Sequence, residues 1–364
     1  MRRPVNKVDC GARSKENEEL LDRLRCSVPD LNELTLDIPW GYWNQHQQPG
    51  SVYQVILEAF DAIANNSSLK TLHISGVHDL LFEDAEDLIK RALSLNTSLK
   101  AIRIDTYGDP RFALDIALSS PTLQALTICV CVDGRYYVPS IDTIHAFAQV
   151  LRVDTKLHSL TIEGFNMNAE RGAALAAAFH QNRTIKTLTM RKTAFRSGGG
   201  AVSFIEALPQ RHYLEAIYFD ENGIEDEWAV RIVSTLCPTP LKTLSLIGNA
   251  ITRRGCARIV DALKRNKHSF TMLELFQSSQ HSSAWQNEIR LDIDRLTWEN
   301  QLQVEKDTWI DLFLDQNDHT QQMFFLALER AKRADNERFS DAPSMVFYLV
   351  KEIPDLIVQS NLHG

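Results

Sequence analysis

Leu241–Leu263 reads LKTLSLIGNAITRRGCARIVDAL. Leu244 and Leu246 alternate with Thr243, Ser245 and Ile247, and a period of two puts the leucines on one face of a short strand. Asn249 follows where the backbone must turn, and backbone groups that a turn leaves unpaired are costly to bury. Thr252 stands at the N-cap position of a helix in which Ile259, Val260 and Leu263 recur at helical spacing. One strand and one helix of this size cannot cover both apolar faces, so copies must stack side by side.

The copies are present. Used as a ruler, LxxLxL or a close variant begins at Leu31, Leu69, Leu99, Leu123, Leu157, Ile185, Leu214, Leu241 and Phe270, giving nine candidate strands. The starts are 24 to 38 residues apart, and the last four intervals are 27 to 29, long enough for a full helix in each copy. A second signature runs in phase: ANNSSLKTL, SLNTSLKAI, HQNRTIKTL and KRNKHSFTML each place Asn past a helical run and before a strand. That placement predicts asparagines in the left-handed conformation that closes a helix.

The unit LxxLxLxxNxI, followed by Gly255 and an apolar helical face, resembles the ribonuclease-inhibitor type of leucine-rich repeat, and the likeness runs over residues 31–276. The resemblance implies an α/β solenoid, a horseshoe with parallel strands on its concave face, helices on its convex face and a helical C-terminal cap. It also implies binding by an extended surface. It does not imply inhibition of a ribonuclease, because the cysteine wealth of the true inhibitors is missing.

Composition narrows the function classes. Of 364 residues 44% are hydrophobic and 24% charged, and no apolar run approaches the roughly 20 residues of a membrane span. The formal net charge of −8 argues against nucleic acid as the main partner and favours basic or neutral ones. Met1-Arg2-Arg3 is followed by Pro4, Asn6, Lys7 and Asp9 with no apolar segment, so no secretory signal is read, and the expected location is the cytoplasm, with the nucleus second. Cys10, Cys26, Cys129, Cys131, Cys237 and Cys256 form no even framework and read as reduced thiols. Cys129 and Cys131 project to the same side of their strand, but no second pair stands at ligand spacing, so neither metal nor cofactor is expected. Asn65, Asn66, Asn96 and Asn182 sit in glycosylation sequons that their role as helix terminators already explains. RSGGGAVSF matches neither GxGxxG nor GxxxxGK[ST], and GxSxG and HExxH are missing. No catalytic residue is named, and the chain reads as non-enzymatic.

Three regions follow. Residues 1–30 hold an arm, through residue 13, and a capping helix opened by Ser14 with Leu20, Leu21 and Leu24 on one face. Residues 31–284 hold the repeats. In residues 285–364, EIRLDIDRL alternates and predicts one last strand through Ile289, Leu291 and Ile293. DTWIDLFLDQ, HTQQMFFLALERAKRA and PSMVFYLVKEI then predict helices of a C-terminal cap. EIRLDID, WIDLFL and FYLVKEIPDL also resemble the ends of uncharacterised leucine-rich-repeat proteins of single-celled algae.

Two surfaces are candidates for binding. The long insertions DIPWGYWNQHQQPG and CVCVDGRYYVP lie between a strand and the next helix, so Trp40, Tyr42, Trp43, Tyr136 and Tyr137 gather on one rim with Tyr107 between them. Trp and Tyr give large rigid contact area at small entropic cost; the alternative is that these rings brace their own loops. The second surface is the strand face opposite the leucines. Its central column is Thr35, His73, Arg103, Thr127, Thr161, Thr189, Tyr218, Ser245 and Glu274. The next column is Asp37, Ser75, Asp105, Cys129, Glu163, Arg191, Asp220, Ile247 and Phe276. Together these features describe a monomeric, non-catalytic scaffold that binds a protein partner. The alternative is a GTPase regulator, since the repeats also resemble those of the Ran GTPase-activating proteins. Such activity implies a rim residue that orders a GTPase's machinery; Arg103, Arg135 and Arg196 are available, none lies in a matching motif, and the acidic tail of those proteins is missing.

Overall fold

A computed structural model describes residues 6–11, 14–38, 50–77, 86–131, 137–152, 156–193, 199–208, 213–265, 270–276, 283–297 and 300. The chain divides into two units, Met1–Thr297 and Trp298–Gly364. The helices read from DTWIDLFLDQ, HTQQMFFLALERAKRA and PSMVFYLVKEI lie outside the described residues.

Strand and helix alternate through the first unit. The order is β1 (Lys7–Asp9), α1 (Lys15–Arg25), β2 (Glu33–Asp37), α2 (Gly50–Asn65), β3 (Thr71–Val77), α3 (Glu86–Leu95) and β4 (Ala101–Thr106). Then come α4 (Arg111–Leu118), β5 (Ala125–Val130), α5 (Ile141–Arg152), β6 (Ser159–Glu163), α6 (Ala169–Ala178) and β7 (Thr187–Arg191). The series closes with α7 (Gly199–Ala207), β8 (Ala216–Tyr218), α8 (Asp226–Leu236), β9 (Thr243–Ser245), α9 (Arg253–Arg265) and β10 (Met272–Glu274). All ten strands form one parallel sheet in sequence order. Strands β2 to β10 coincide with the nine LxxLxL motifs.

The inward leucines make the core. Leu34, Leu72, Ile102, Leu126, Leu160, Leu188, Ile217 and Leu244 are all buried, each contributing about 1.5–3 kcal/mol. From the helices, Leu93, Leu114, Leu151, Leu175, Ile232 and Ile259 fill the space behind them. Edge-to-face ring pairs tie neighbouring copies together, Phe147 to Phe165 at 5.7 Å and Phe204 to Phe219 at 6.2 Å between centroids. Strands repeat every ~4.8 Å while packed helices need ~8–10 Å, so the stack bends with the sheet inside and the helices outside. The fold is a leucine-rich-repeat solenoid.

Buried asparagines hold the copies in register. Asn96 Nδ2 donates to the carbonyls of Ile63 (2.6 Å) and Asn66 (2.9 Å), and its Oδ1 accepts from the amides of Ser98 (2.9 Å) and Leu99 (2.8 Å). Asn66 repeats the pattern on Leu24, Ser68 and Leu69, and Asn182 on Leu151, Thr184 and Ile185. None of the three has a positive φ. The expected left-handed cap is therefore replaced by a bridge: the side chain closes the preceding copy's helix and opens its own strand. In the later copies the same device sits beyond the strands, where Asn249 Nδ2 donates to Phe219 and Leu246 while Oδ1 accepts from the amides of Asn222 and Ile224. Among the described residues left-handed backbone occurs at the residue following the second outward column (Gly76, Gly164, Lys192, Glu221 and Gly248), at Gly223, and at Ser27, which closes helix α1. At Gly164 a Cβ would stand 2.2 Å from the Val130 carbonyl oxygen, so the turn can pass there only as glycine.

Several expectations are corrected. Residues 7–9 are not part of an arm: alternation of Val8 and Cys10 into the core makes them strand β1, paired with Thr35–Asp37. Helix α1, capped by Ser14 and burying Leu20, Leu21 and Leu24, completes that strand-and-helix copy. EIRLDIDRL is not a strand but part of a helix over residues 284–297. Ile289 and Ile293, four apart, are buried, whereas Leu291 is 70% exposed; a period of two and a spacing of four are indistinguishable at those two positions. Thr252 does not turn its hydroxyl to its own helix. It donates to Asp226 Oδ2 (2.6 Å), and Asp226 Oδ1 accepts from the Thr252 amide (2.7 Å), so the previous copy caps α9. Within RSGGGAVSF, Gly200 brings α7 against α6: a Cβ on Gly172 would lie 2.3 Å from the Gly200 carbonyl oxygen. No helix among the described residues is long and apolar enough to cross a membrane.

Candidate functional site: the outward face of the sheet

The register joins the two outward columns as rows. Thr35, His73, Arg103, Thr127, Thr161, Thr189, Tyr218, Ser245 and Glu274 are successive partners across β2 to β10. In the second column Asp105, Cys129, Glu163 and Arg191 are likewise successive partners. A shift in β3 between Ile74 and Val77, at the left-handed Gly76, inserts one residue before the pairing resumes.

Charges on this face are arranged in chains. His73 Nε2 lies 2.8 Å from Asp105 Oδ2, and Arg103 Nε lies 2.9 Å from Asp105 Oδ1. Arg103 also stands 3.8 Å from Glu163, as does Arg191 from the other carboxylate oxygen. Arg191 bonds Glu221, and Lys192 stands 3.7 Å from both Glu163 and Glu221. The hydrogen bonds from Arg191 hold the Glu221 carboxyl below the usual range against the opposing pull of burial. At the other end, burial pushes Asp37 up, but Lys7 at 2.5 Å and the Ser75 hydroxyl at 2.6 Å outweigh it and hold the carboxyl down. Asp220 accepts from the Ser245 hydroxyl (2.6 Å) and the Ile247 amide (3.0 Å), which fixes it as a strut between β8 and β9.

Between Asp105 and Glu163 lie two half-buried thiols, with Cys129 Sγ 3.7 Å from Cys131 Sγ. Burial raises both, and each is raised further by the flanking carboxylates. Among the described residues no three metal-ligating side chains come together.

The aromatic rim is divided by what is described. Tyr137 is half-buried, with its ring edge-on to Phe165 at 6.2 Å and its backbone paired to that residue, so it packs against the following copy. Tyr107 is half-buried, and its amide donates to the Val77 carbonyl. Trp40, Tyr42, Trp43 and Tyr136 lie outside the described residues, as do Arg135 and Arg196. Of the arginines weighed for GTPase regulation, Arg103 is the one placed, and its guanidinium is engaged with Asp105.

Two residues that the columns omitted belong to this face. Lys192 and Glu221 occupy the left-handed position where Gly76, Gly164 and Gly248 stand in other copies, and a non-glycine residue there costs about 1–2 kcal/mol. The signal lay in aligning the copies one residue further: charged side chains where the pattern calls for glycine. On the opposite, helical side, an open groove is lined by Arg25, Glu58, Asp61, Leu88, Arg91 and Leu95.

No family model and no curated protein matches the chain. Among solved structures it is similar to the leucine-rich-repeat-containing protein LegL7 of Legionella pneumophila, with 12% identity and a TM-score of 0.49 over 79% of this chain and 97% of that one. It is also similar to the tropomodulin C-terminal domain of Caenorhabditis elegans, with 18% identity and a TM-score of 0.35 over 46% and 98%. A third, leiomodin-1 actin-binding site 2, has 11% identity and a TM-score of 0.24 over 84% and 100%.

Proposed function

We propose that this protein is a non-catalytic interaction scaffold that holds a protein partner on the outward face of its parallel sheet. The observation that supports this reading is the continuous row of outward side chains from β2 to β10, in which charged, hydroxyl and thiol groups, apart from buried Glu163 and Ser245, stay half-exposed while the other side of the sheet is packed by helices. Nine strands at ~4.8 Å by five residues at ~3.3 Å span about 700 Å², close to one partner's share of about 800 Å² in a standard interface. Arg103, Asp105, Glu163, Arg191, Tyr218 and Asp220 are the contact residues, and the aromatic segments around Trp40, Tyr42, Trp43, Tyr136 and Tyr137, with Tyr107, flank them. Arg103, Arg191 and Tyr218 supply planar groups of the kinds that anchor interfaces. The ion pairs fix their geometry before binding, so less side-chain freedom is lost on association. The scaffold works as a monomer in the cytoplasm.

Thr127 and Thr161 sit at the centre of the face and point outward. Thr127→Arg with Thr161→Arg crowds that centre without entering the core. Affinity capture from the native cell is expected to lose the main partner with this double variant while thermal unfolding stays within a few degrees. Retention of the partner at wild-type yield would overturn the proposal.

A further inference from the structure

The residue just inside the first leucine of each copy forms a row that the outward columns do not include. It runs Lys70, Lys100, Gln124, His158, Lys186, Glu215, Lys242 and Thr271, and a continuous ladder holds it in line, each amide donating to the carbonyl of the previous member at 2.7 to 2.9 Å. The row marks the leading edge of the sheet, where strands begin. Lys156 and Arg183, exposed in the loops before β6 and β7, extend it.

This edge is basic in a chain whose net charge is −8. Lys70, Lys100, Lys156 and Arg183 have no acidic partner among the described residues. Lys186 and Lys242 share the single carboxylate of Glu215, at 2.8 and 3.0 Å, and so keep one net positive charge. Of the other acids among the described residues here, Asp30 pairs with Arg23 at 3.3 Å and Glu33, at the β2 end, has no described ion pair; Asp154 lies outside the described residues. The trailing side of the sheet is the reverse: its arginines are engaged with Asp105, Glu163 and Glu221. Between the basic row and the central column lie small outward residues, Thr71, Ala101, Ala125, Ser159, Thr187 and Ala216, paired strand to strand. They leave room for a backbone to lie alongside the lysines.

We infer that the leading edge binds an acidic segment of a protein partner, running across the strands from Lys70 to Lys186. Four strand steps of ~4.8 Å span about 19 Å, the length of about six extended residues. The bordering hydroxyls can donate to carboxylates, and Lys70 and Lys100, with no acidic partner among the described residues, give up no described ion pair on binding, whereas Lys186 is shared with Glu215. Nucleic acid fits less well: single strands are held by stacked rings, and Tyr213 is the exposed aromatic residue found on this edge among the described residues. The charge contrast between this edge and the rest of the surface also steers an acidic partner toward the sheet.

The inference rests on the proposed scaffold role and names the chemistry of its partner. A fluorescein-labelled octaglutamate peptide is titrated with the full chain, read by fluorescence anisotropy, from roughly 20 to 150 mM salt. Saturable, salt-weakened binding is expected. Lys70→Gln, Lys100→Gln, Lys156→Gln and Arg183→Gln together should raise Kd roughly tenfold, while Arg254→Gln with Lys264→Gln on α9 should leave it unchanged. Lys70→Glu alone, a single exposed change, should weaken binding in the same direction if the quadruple variant folds poorly. Unsaturable binding, or equal loss in the α9 variant, would overturn the inference; so would tighter binding of a single-stranded oligonucleotide of equal charge with the same variant dependence. If the edge variants bind the native partner normally while Thr127→Arg with Thr161→Arg does not, the edge assignment fails alone. If neither set affects capture, the scaffold face fails with it.

Discussion

Replacing Asn96 by Ala removes the most fully buried of the asparagine bridges, a residue with 0% exposure. The magnitude follows from what each partner retains. The Ile63 carbonyl still accepts from the Asn66 amide at 3.1 Å, and the Asn66 carbonyl from the Ser98 hydroxyl at 3.0 Å. Among the described residues the amides of Ser98 and Leu99 have no second acceptor, and Asn96 Oδ1 serves both. Two buried amides left unsatisfied cost about 1–3 kcal/mol each, so the loss should be about 2–6 kcal/mol. The neighbouring Asn65 is exposed and makes one long bond to the Asp61 carbonyl at 3.3 Å, so Asn65→Ala should change stability by less than about 0.5 kcal/mol. Urea unfolding followed by circular dichroism measures both. Because copies contact only their neighbours, the Asn96→Ala transition should also broaden or split as the copies around β3 and β4 melt first. Equal stability of Asn96→Ala and Asn65→Ala would refute the bridge as the element that registers one copy on the next.

Three further outcomes follow from the same geometry. Ser120 occupies the bridge position before Leu123, and its Oγ is buried without a partner; Ser120→Asn should restore the bridge and stabilise by about 1 kcal/mol, seen as a raised Tm, whereas a lowered Tm would show that the site cannot hold an amide. At Asp226, burial pushes the carboxyl up, but the Thr252 hydroxyl, the Thr252 and Gly255 amides and Arg258 outweigh it, so its pKa is lowered. Stability from a depressed carboxylate is fully present above the unfolded pKa of about 3.9 and lost as pH falls through the folded value. The gap between wild type and Asp226→Asn should therefore be constant near neutrality and shrink below about pH 4; a gap independent of pH down to acid unfolding would contradict it. Finally, burial and neighbouring carboxylates raise Cys129 and Cys131, and burial pushes Cys10 and Cys256 up to about 12. Iodoacetamide near neutral pH should label exposed Cys26 well before these four, read by peptide mass spectrometry, and early labelling of Cys129 would show a more reactive thiol than its surroundings imply.

Much of the fold was legible because the same physical demand recurs at a fixed interval. Nine LxxLxL motifs gave nine strands, and alternation gave the central outward column throughout and the second from Asp37 to Arg191; Asp220, Ile247 and Phe276 lie beyond the ends of β8, β9 and β10, and Phe276 packs edge-on to Trp285 at 5.7 Å. The failures share a cause: a signal too short to carry its own period. KVDC has two apolar positions and was read as part of an arm, yet it pairs as β1. In EIRLDIDRL, Ile289 and Ile293 satisfy strand and helix alike, and exposed Leu291 is the position that separates them. The asparagines were found but their conformation was not, because the groups they bond belong to the previous copy and are invisible in a single unit. Lys192 and Glu221 were missed for a related reason, as their significance is a departure from Gly76, Gly164 and Gly248. The basic edge was spelled out in SLKTL, SLKAI, TIKTL and PLKTL, but a net charge of −8 pointed to basic or neutral partners. A chain-wide sum hides a local row.

The most direct test is a hydroxyl-radical footprint of the chain alone and with its captured partner. Tyr218 and Met190 report on the sheet, the first outward and the second buried, while Leu95, Leu88 and Arg258 report on the helical side. Protection of Tyr218 on binding, with Leu95 and Leu88 labelled as before, is the expected pattern. Protection confined to Leu88 and Leu95 would place the partner on the helices and contradict the account.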